Sequence, residues 1–373
     1  MKLVLVQILR AVAAWLVAMH HGQHEAATIA ARTGQAFVPS AFLPWPAGVD
    51  VFFVISGFII VYAAGPLYGR PGARARFLAH RIARVVPLYW LVTLLYLGLA
   101  LALPGLLGTD GAALLEPGYV AASFLFWPAL RPDGTPQPLY TLGWTLNCEM
   151  FFYVLFALGL GASRRGAVAW VLAALAALVL AHALVPGLPL PLAFWTNPII
   201  LEFALGAALG LARAEGLILP GPARLGLGLA GLALLAAAGR VLPPEQAFGA
   251  DGGFLRPLVL GVPAALLVAA AALGRPRAEP EHPLLRWAGA LGDASYALYL
   301  VHPFVLRAAR EALLRSGVAP LLGPWGCLAL MVGLSLPAAV IVYRLVERPL
   351  TARARALLEP APATRPGRLR KTV

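Results

Sequence analysis

Apolar runs of about 20 residues follow one another along this chain, each close to the length a helix needs to cross a hydrocarbon core about 30 Å thick. They lie roughly at 3–22, 48–64, 84–104, 140–161, 166–185, 194–212, 224–240, 256–273, 285–306 and 326–345. A bilayer interior offers no partner to a backbone N–H or C=O, so such a chain must fold as helices that close their own hydrogen bonds. The pattern predicts an all-α, polytopic membrane protein with about ten transmembrane helices. Composition agrees. Of 373 residues, 60% are hydrophobic and 12% charged, against about 25% charged in soluble domains.

The net charge of +13 would suggest nucleic acid in a soluble protein. In a membrane protein it sets topology instead, because Lys and Arg collect in cytoplasmic loops. With the N-terminus cytoplasmic, 22 of the 29 Lys and Arg residues fall inside; the other seven are Arg32, Arg131, Arg240, Arg256, Arg307, Arg310 and Arg315. That split puts both termini in the cytoplasm. Arg10 interrupts the first apolar run and no clean cleavage site follows His21, so 3–22 reads as the first transmembrane helix, not a cleaved leader. The longest loop, 105–139, is external, and its apolar stretch 118–130 is too short to span and reads as re-entrant or interfacial. Residues 1–350 read as one membrane domain and 351–373 as a basic, disordered cytoplasmic tail. Cys148 and Cys327 both sit in apolar segments, so neither a disulfide framework nor a metal site is expected.

Against this background the ionisable residues inside the spans stand out, because a charge in a bilayer is costly and points to function. Arg10 and His21 share the first helix. Eleven residues at about 100° each bring them within about 20° of one face, about 16 Å apart along the axis. His20 turns about 80° away from that stripe, whereas His24 lies within about 40° of it. Asp50 falls near the outer end of the second helix, level with His21, while Glu149 and Glu202 lie deeper in the fourth and sixth. Ser295, Tyr299 and His302 stack on one stripe of the ninth. A carboxylate beside a histidine fixes its tautomer and stabilises the imidazolium, which makes a general base. Asp50 or Glu149 can supply it, and sequence does not choose between them. Each residue also has a structural alternative. Asp50 can cap its helix, Glu149 and Glu202 can pair with a packing arginine, and His302 can sit at the interface. At the cytoplasmic end, Arg81 and Arg84 are spaced i, i+3, which sets two guanidinium groups side by side for bidentate phosphate capture.

Taken in order, these elements resemble the integral-membrane acyltransferase family 3, and within it the exopolysaccharide acetyltransferases. The resemblance rests on Arg10-x10-His21, GVDVFFVISGFII (48–60), FLAHRIARVVPLYW (77–90), WTLNCEMFFY (144–153), SYALYLVHP (295–303) and VERP (346–349). It implies a ten-helix enzyme of the bacterial inner membrane that takes an acyl group, usually acetyl, from cytoplasmic acyl-CoA to a carbohydrate hydroxyl. Acyl-CoA is then a co-substrate, and no permanently bound cofactor is expected. Carried over by position, His21 resembles the catalytic histidine, Arg10 its partner, Arg81 and Arg84 the donor-binding arginines and Glu149 an essential carboxylate. Asp50 is the other candidate partner of His21, and Tyr299 and His302 are expected to meet substrate. One departure is local: Glu149 is followed by Met150, where many relatives carry a second polar residue. The rival class is a transporter or flippase for a lipid-linked glycan or small anion, which would also bury charges along a central path. The lack of an obvious internal repeat and the one-sided clustering of the histidine and carboxylates favour the enzyme.

Overall fold

A computed structural model of the chain describes residues 3–103, 112–241, 253–275 and 282–358. Their regular structure is entirely helical. The α-helices are α1 (Val4–Thr33), α2 (Gly48–Ala63), α3 (Ala73–Ala102), α4 (Pro117–Phe124), α5 (Trp144–Gly159), α6 (Arg164–Leu184) and α7 (Leu190–Trp195). They continue with α8 (Leu201–Ala214), α9 (Gly221–Ala238), α10 (Val262–Ala272), α11 (Pro283–Asp293), α12 (Ser295–Arg315), α13 (Ala319–Val342) and α14 (Arg348–Leu358). Eight helical stretches among the described residues are long and apolar enough to cross a membrane. They coincide with the first seven expected segments and the tenth. The eighth is the shorter apolar helix Pro257–Ala272, and the ninth is divided at Ala294 into α11 and α12. The protein is a multi-pass membrane protein.

Several ends differ from the apolar pattern for local reasons. The polar stretch after His21 does not stop α1, which continues over Glu25 and an Ala-rich run to Thr33, because Ala and Glu are good helix formers in or out of a bilayer. It stops at Gly34, whose φ of 66° suits the left-handed cap. The third span starts at Ala73, so Arg81 and Arg84 lie about two turns inside α3, not at its first turn. At the C-terminal end a π-helical turn, Tyr343–Glu347, leads straight into α14. The domain boundary placed at residue 350 therefore falls within a helix. The rest of the expected tail, after Leu358, lies outside the described residues.

The segment between α3 and α5 folds back on the bundle. Its short helix α4 is capped by the Glu116 carboxylate, which accepts from the N–H of Gly118 at 2.8 Å and from that of Tyr119. Tyr89 of α3 donates to the Ser123 carbonyl at 3.0 Å, and the Ser123 hydroxyl accepts from the N–H of Leu139 at 2.9 Å.

The site is framed chiefly by α1, α2, α3, α5 and α12. Small residues bring two of the central helices together. A Cβ on Gly206 of α8 would lie 2.0 Å from the Val54 carbonyl of α2, and one on Gly57 of α2 would lie 2.2 Å from the Phe203 carbonyl of α8. Glycine on both sides is what lets membrane helices approach to backbone contact. Phe203 then stacks between Phe53 and Phe152, with both ring centroids at 4.5 Å. Leucines such as Leu94, Leu180, Leu229 and Leu258 are exposed on the outside of the bundle, so the apolar surface faces outward and the ionisable residues inward.

Candidate active site

Polar side chains from five helices line a cavity of about 230 Å³ inside the bundle. Arg10 comes from α1, Ser56 from α2, Arg81 and Arg84 from α3, Glu149 and Tyr153 from α5, and Tyr296 and Tyr299 from α12. Arg10 Nη1 donates to Gln7 Oε1 at 3.3 Å. The Arg81 guanidinium lies over the rings of Phe77 (5.4 Å) and Tyr153 (5.8 Å), and its Nε is buried without a hydrogen-bond partner. A half-buried cation with one unpaired N–H suits an anionic ligand. Glu149 Oε1 accepts from Ser56 Oγ at 2.7 Å and from the Tyr153 hydroxyl at 2.5 Å. Three arginines, one carboxylate and a set of hydroxyls therefore share one cavity, which joins Arg10 to the pair on α3 but does not have His21 in its lining.

Asp50 is placed elsewhere. Its carboxylate is gripped by Arg256, Nε to Oδ1 at 2.9 Å and Nη2 to Oδ2 at 3.0 Å, with both side chains buried. Arg256, which charge counting put on the outer surface, is a core residue. Glu202 is buried beside this pair. Asp50 is therefore neither a free cap nor the partner of His21 but half of a structural ion pair. The expectation that it orients the histidine is corrected by this geometry.

Glu149 does not sit on His21 either. The partner of His21 is a second imidazole: His302 Nε2 lies 3.0 Å from His21 Nδ1, with ring centroids 5.1 Å apart. His21 Nδ1 also lies 3.0 Å from the Val17 carbonyl, one turn back on α1. His302 is fully buried, and its Nδ1 lies 2.9 Å from the Leu298 carbonyl. With both ring nitrogens engaged within the protein, His302 has none left for substrate, which corrects its expected role. Tyr299 does face the cavity, and its hydroxyl contacts Thr145 Oγ1 at 2.9 Å and the Leu142 carbonyl at 3.1 Å. Its ring lies 6.4 Å from the His302 ring and 6.1 Å from that of Phe52. His24, which helical angle left open, is exposed and bonded to the His20 carbonyl at 3.0 Å.

A family model for the acyltransferase domain matches residues 5–344. The chain belongs to acyltransferase family 3. It is 36% identical over 334 residues to the exopolysaccharide production protein ExoZ of Rhizobium meliloti (strain 1021), covering 88% of this chain and 94% of that protein. It is 30% identical over 342 residues to the acyltransferase MdmB of Streptomyces mycarofaciens, covering 81% of this chain and 79% of MdmB. No solved structure matches the chain. A membrane acyltransferase is thus the class.

Sequence reasoning missed Ser56, Tyr153 and Arg256. Tyr153 was within reach, since it lies four residues after Glu149 on the same helix face. Ser56 sits in an otherwise apolar run, and Arg256 meets Asp50 only through the tertiary fold.

Proposed function

We propose that this acyltransferase moves an acyl group, acetyl in the simplest case, from cytoplasmic acyl-CoA to a carbohydrate hydroxyl of an exopolysaccharide or lipid-linked glycan. The observation that carries the reading is the convergence of Arg10, Arg81 and Arg84 on one cavity. Three fixed cations there suit the phosphates of a nucleotide thioester and would serve a neutral donor poorly. Positive-inside charge counting puts Arg81 and Arg84 toward the cytoplasm, where acyl-CoA is found, in a bacterial inner membrane. Residues 1–350 act as one transferase domain in this reading. ExoZ is named for exopolysaccharide production, which favours a glycan acceptor.

In the reaction, the phosphates rest on Arg81 and Arg84, and Arg10 continues the cationic track along α1. The pantetheine arm passes Tyr299 and brings the thioester to His21, about 16 Å along the helix from Arg10. His21 Nε2 takes the proton of the acceptor hydroxyl as its oxygen attacks the thioester carbonyl. The tetrahedral adduct collapses, the C–S bond breaks, and the imidazolium returns its proton to the leaving thiolate. Glu149, held by Ser56 and Tyr153, offsets part of the arginine charge around the donor. Cys148 is fully buried, which keeps its thiol out of an acyl-enzyme route.

The purified full-length protein in nanodiscs is incubated with radiolabelled acetyl-CoA and glycan extracted from membranes of the producing cell. Label appearing in the glycan with equimolar release of CoA thiol is expected. Retention of intact acetyl-CoA, with no labelled glycan, overturns the proposal.

A further inference from the structure

We infer that His302 is the positioning residue of this acyltransferase. It holds His21 with its proton on Nδ1, so that Nε2 is left as the basic lone pair. The inference rests on the transferase reading above only for what the lone pair does, because the tautomer follows from geometry alone.

Two carbonyls decide it. A carbonyl oxygen only accepts, so the 3.0 Å contact between the Val17 carbonyl and His21 Nδ1 requires a proton on that nitrogen. The 2.9 Å contact between the Leu298 carbonyl and His302 Nδ1 requires the same of His302. Between the rings, His21 Nδ1 and His302 Nε2 face each other at 3.0 Å. One of the two must accept. His21 Nδ1 already carries a proton, so His302 Nε2 presents its lone pair. Both rings are then neutral, every contact is satisfied, and the lone pair left over in the chain of bonds belongs to His21 Nε2. Pro303 strengthens the arrangement. It brings no N–H to the Tyr299 carbonyl one turn back, and the His302 ring also faces that oxygen.

On α1, the His20 ring lies 5.0 Å from that of His21, and His24 lies 4.7 Å from His20. On α12, Tyr299 donates to the Leu142 carbonyl. The nearby carboxylates have other partners: Asp50 binds Arg256, Glu149 binds Ser56 and Tyr153, and Glu25 binds Arg307 and Arg310. A neutral imidazole thus stands where a base of this kind usually carries a carboxylate. When Nε2 takes the acceptor proton, the Nδ1–H bond to His302 becomes charge-assisted and shortens. It relaxes when the proton passes on to the departing thiolate. An uncharged orienter also spares the bundle a further buried carboxylate to compensate.

The test uses the full-length chain with 15N-labelled histidine in nanodiscs, together with inverted membrane vesicles in which acetyl-CoA is the donor probe and the vesicles' own glycan the acceptor. The 15N spectrum of the wild type should show His21 as the Nδ1–H tautomer. His302→Leu should let His21 redistribute toward Nε2–H and lower kcat by about 10²-fold, the loss that a small misplacement brings, with the KM for acetyl-CoA unchanged. His302→Gln, whose amide oxygen can take the place of Nε2, should restore the tautomer and most of kcat. An Nε2–H tautomer in the wild type overturns the inference, as does a His302→Leu protein with wild-type kcat. A His302→Gln protein as slow as His302→Leu, though folded and carrying Nδ1–H, does the same. If His302→Leu does not accumulate, the wild-type tautomer and His302→Gln decide. Wild-type vesicles that release no more thiol than His21→Ala vesicles would end the transferase reading and leave the tautomer result standing.

Discussion

Asp50 and Glu149 look alike in the sequence, each a lone carboxylate in an apolar helix, yet they meet opposite surroundings. Asp50 is locked to Arg256 in a buried, two-pronged ion pair. Removing one member of such a pair leaves an uncompensated buried charge and destabilises by about 3–5 kcal/mol. Asp50→Ala is therefore expected to lower the unfolding midpoint sharply, and adding Arg256→Met should recover most of the loss, as read by thermal unfolding in detergent. A double variant no more stable than Asp50→Ala would contradict the structural role. Glu149 instead faces the arginine-lined cavity with two hydroxyls on one oxygen. Its amide variant keeps an acceptor for one of them, so Glu149→Gln should remain folded while its transfer rate drops, as measured by thiol release. The arginines answer to a binding measurement. A hydrogen bond to a charged group is worth about 1.5–3 kcal/mol, so Arg81→Ala with Arg84→Ala should weaken acetyl-CoA binding by at least about tenfold. Titration calorimetry reads this directly, and an unchanged Kd would remove the phosphate role.

At the scale of elements, the contact between α2 and α8 matters because α2 carries both Asp50 and Ser56. That contact tolerates no side chain at Gly206, where a Cβ would lie 2.0 Å from the Val54 carbonyl. Gly226 on α9 has nothing within 4 Å of the same atom. Gly206→Leu should force the two helices apart and cost several degrees or more in Tm. Gly226→Ala should be neutral or stabilising, by up to about 1 kcal/mol, since alanine is the better helix former. Thermal unfolding followed by circular dichroism compares them, and equal midpoints would mean that close approach of α2 and α8 does not hold the bundle. The division of the ninth apolar segment at Ala294 belongs to this scale too. It ends α11 at Asp293 and starts α12 at Ser295, and α12 brings Tyr296 and Tyr299 to the cavity and His302 to His21.

For the whole molecule, the transferase reading requires the donor cavity to open toward the cytoplasm. The bias of positive charge predicts that orientation, and thiol labelling can test it because both native cysteines, Cys148 and Cys327, are buried. A cysteine placed at exposed Ala36, beyond α1, should react with a membrane-impermeant reagent in intact cells. One placed at exposed Arg74 should react only after permeabilisation. The reverse result would put the arginine cavity on the wrong side for acyl-CoA.

The sequence alone determined the class of fold, because the bilayer leaves a long apolar run little choice but a helix. It also singled out Arg10, Arg81, Arg84 and Glu149 as candidates, since these are charges that a lipid-facing helix would not keep. Positions on a single helix were readable to within a turn from periodicity. Pairings between helices were not. Nothing in an apolar stretch records the angle and depth at which it packs, so Asp50 could be matched with His21 on paper while its helix presented it to Arg256, 206 residues away in the chain. The choice of a histidine rather than a carboxylate as partner to His21 was made by the packing of α12 against α1. That contact joins residues 281 positions apart, and only close-packed side chains in three dimensions could select it.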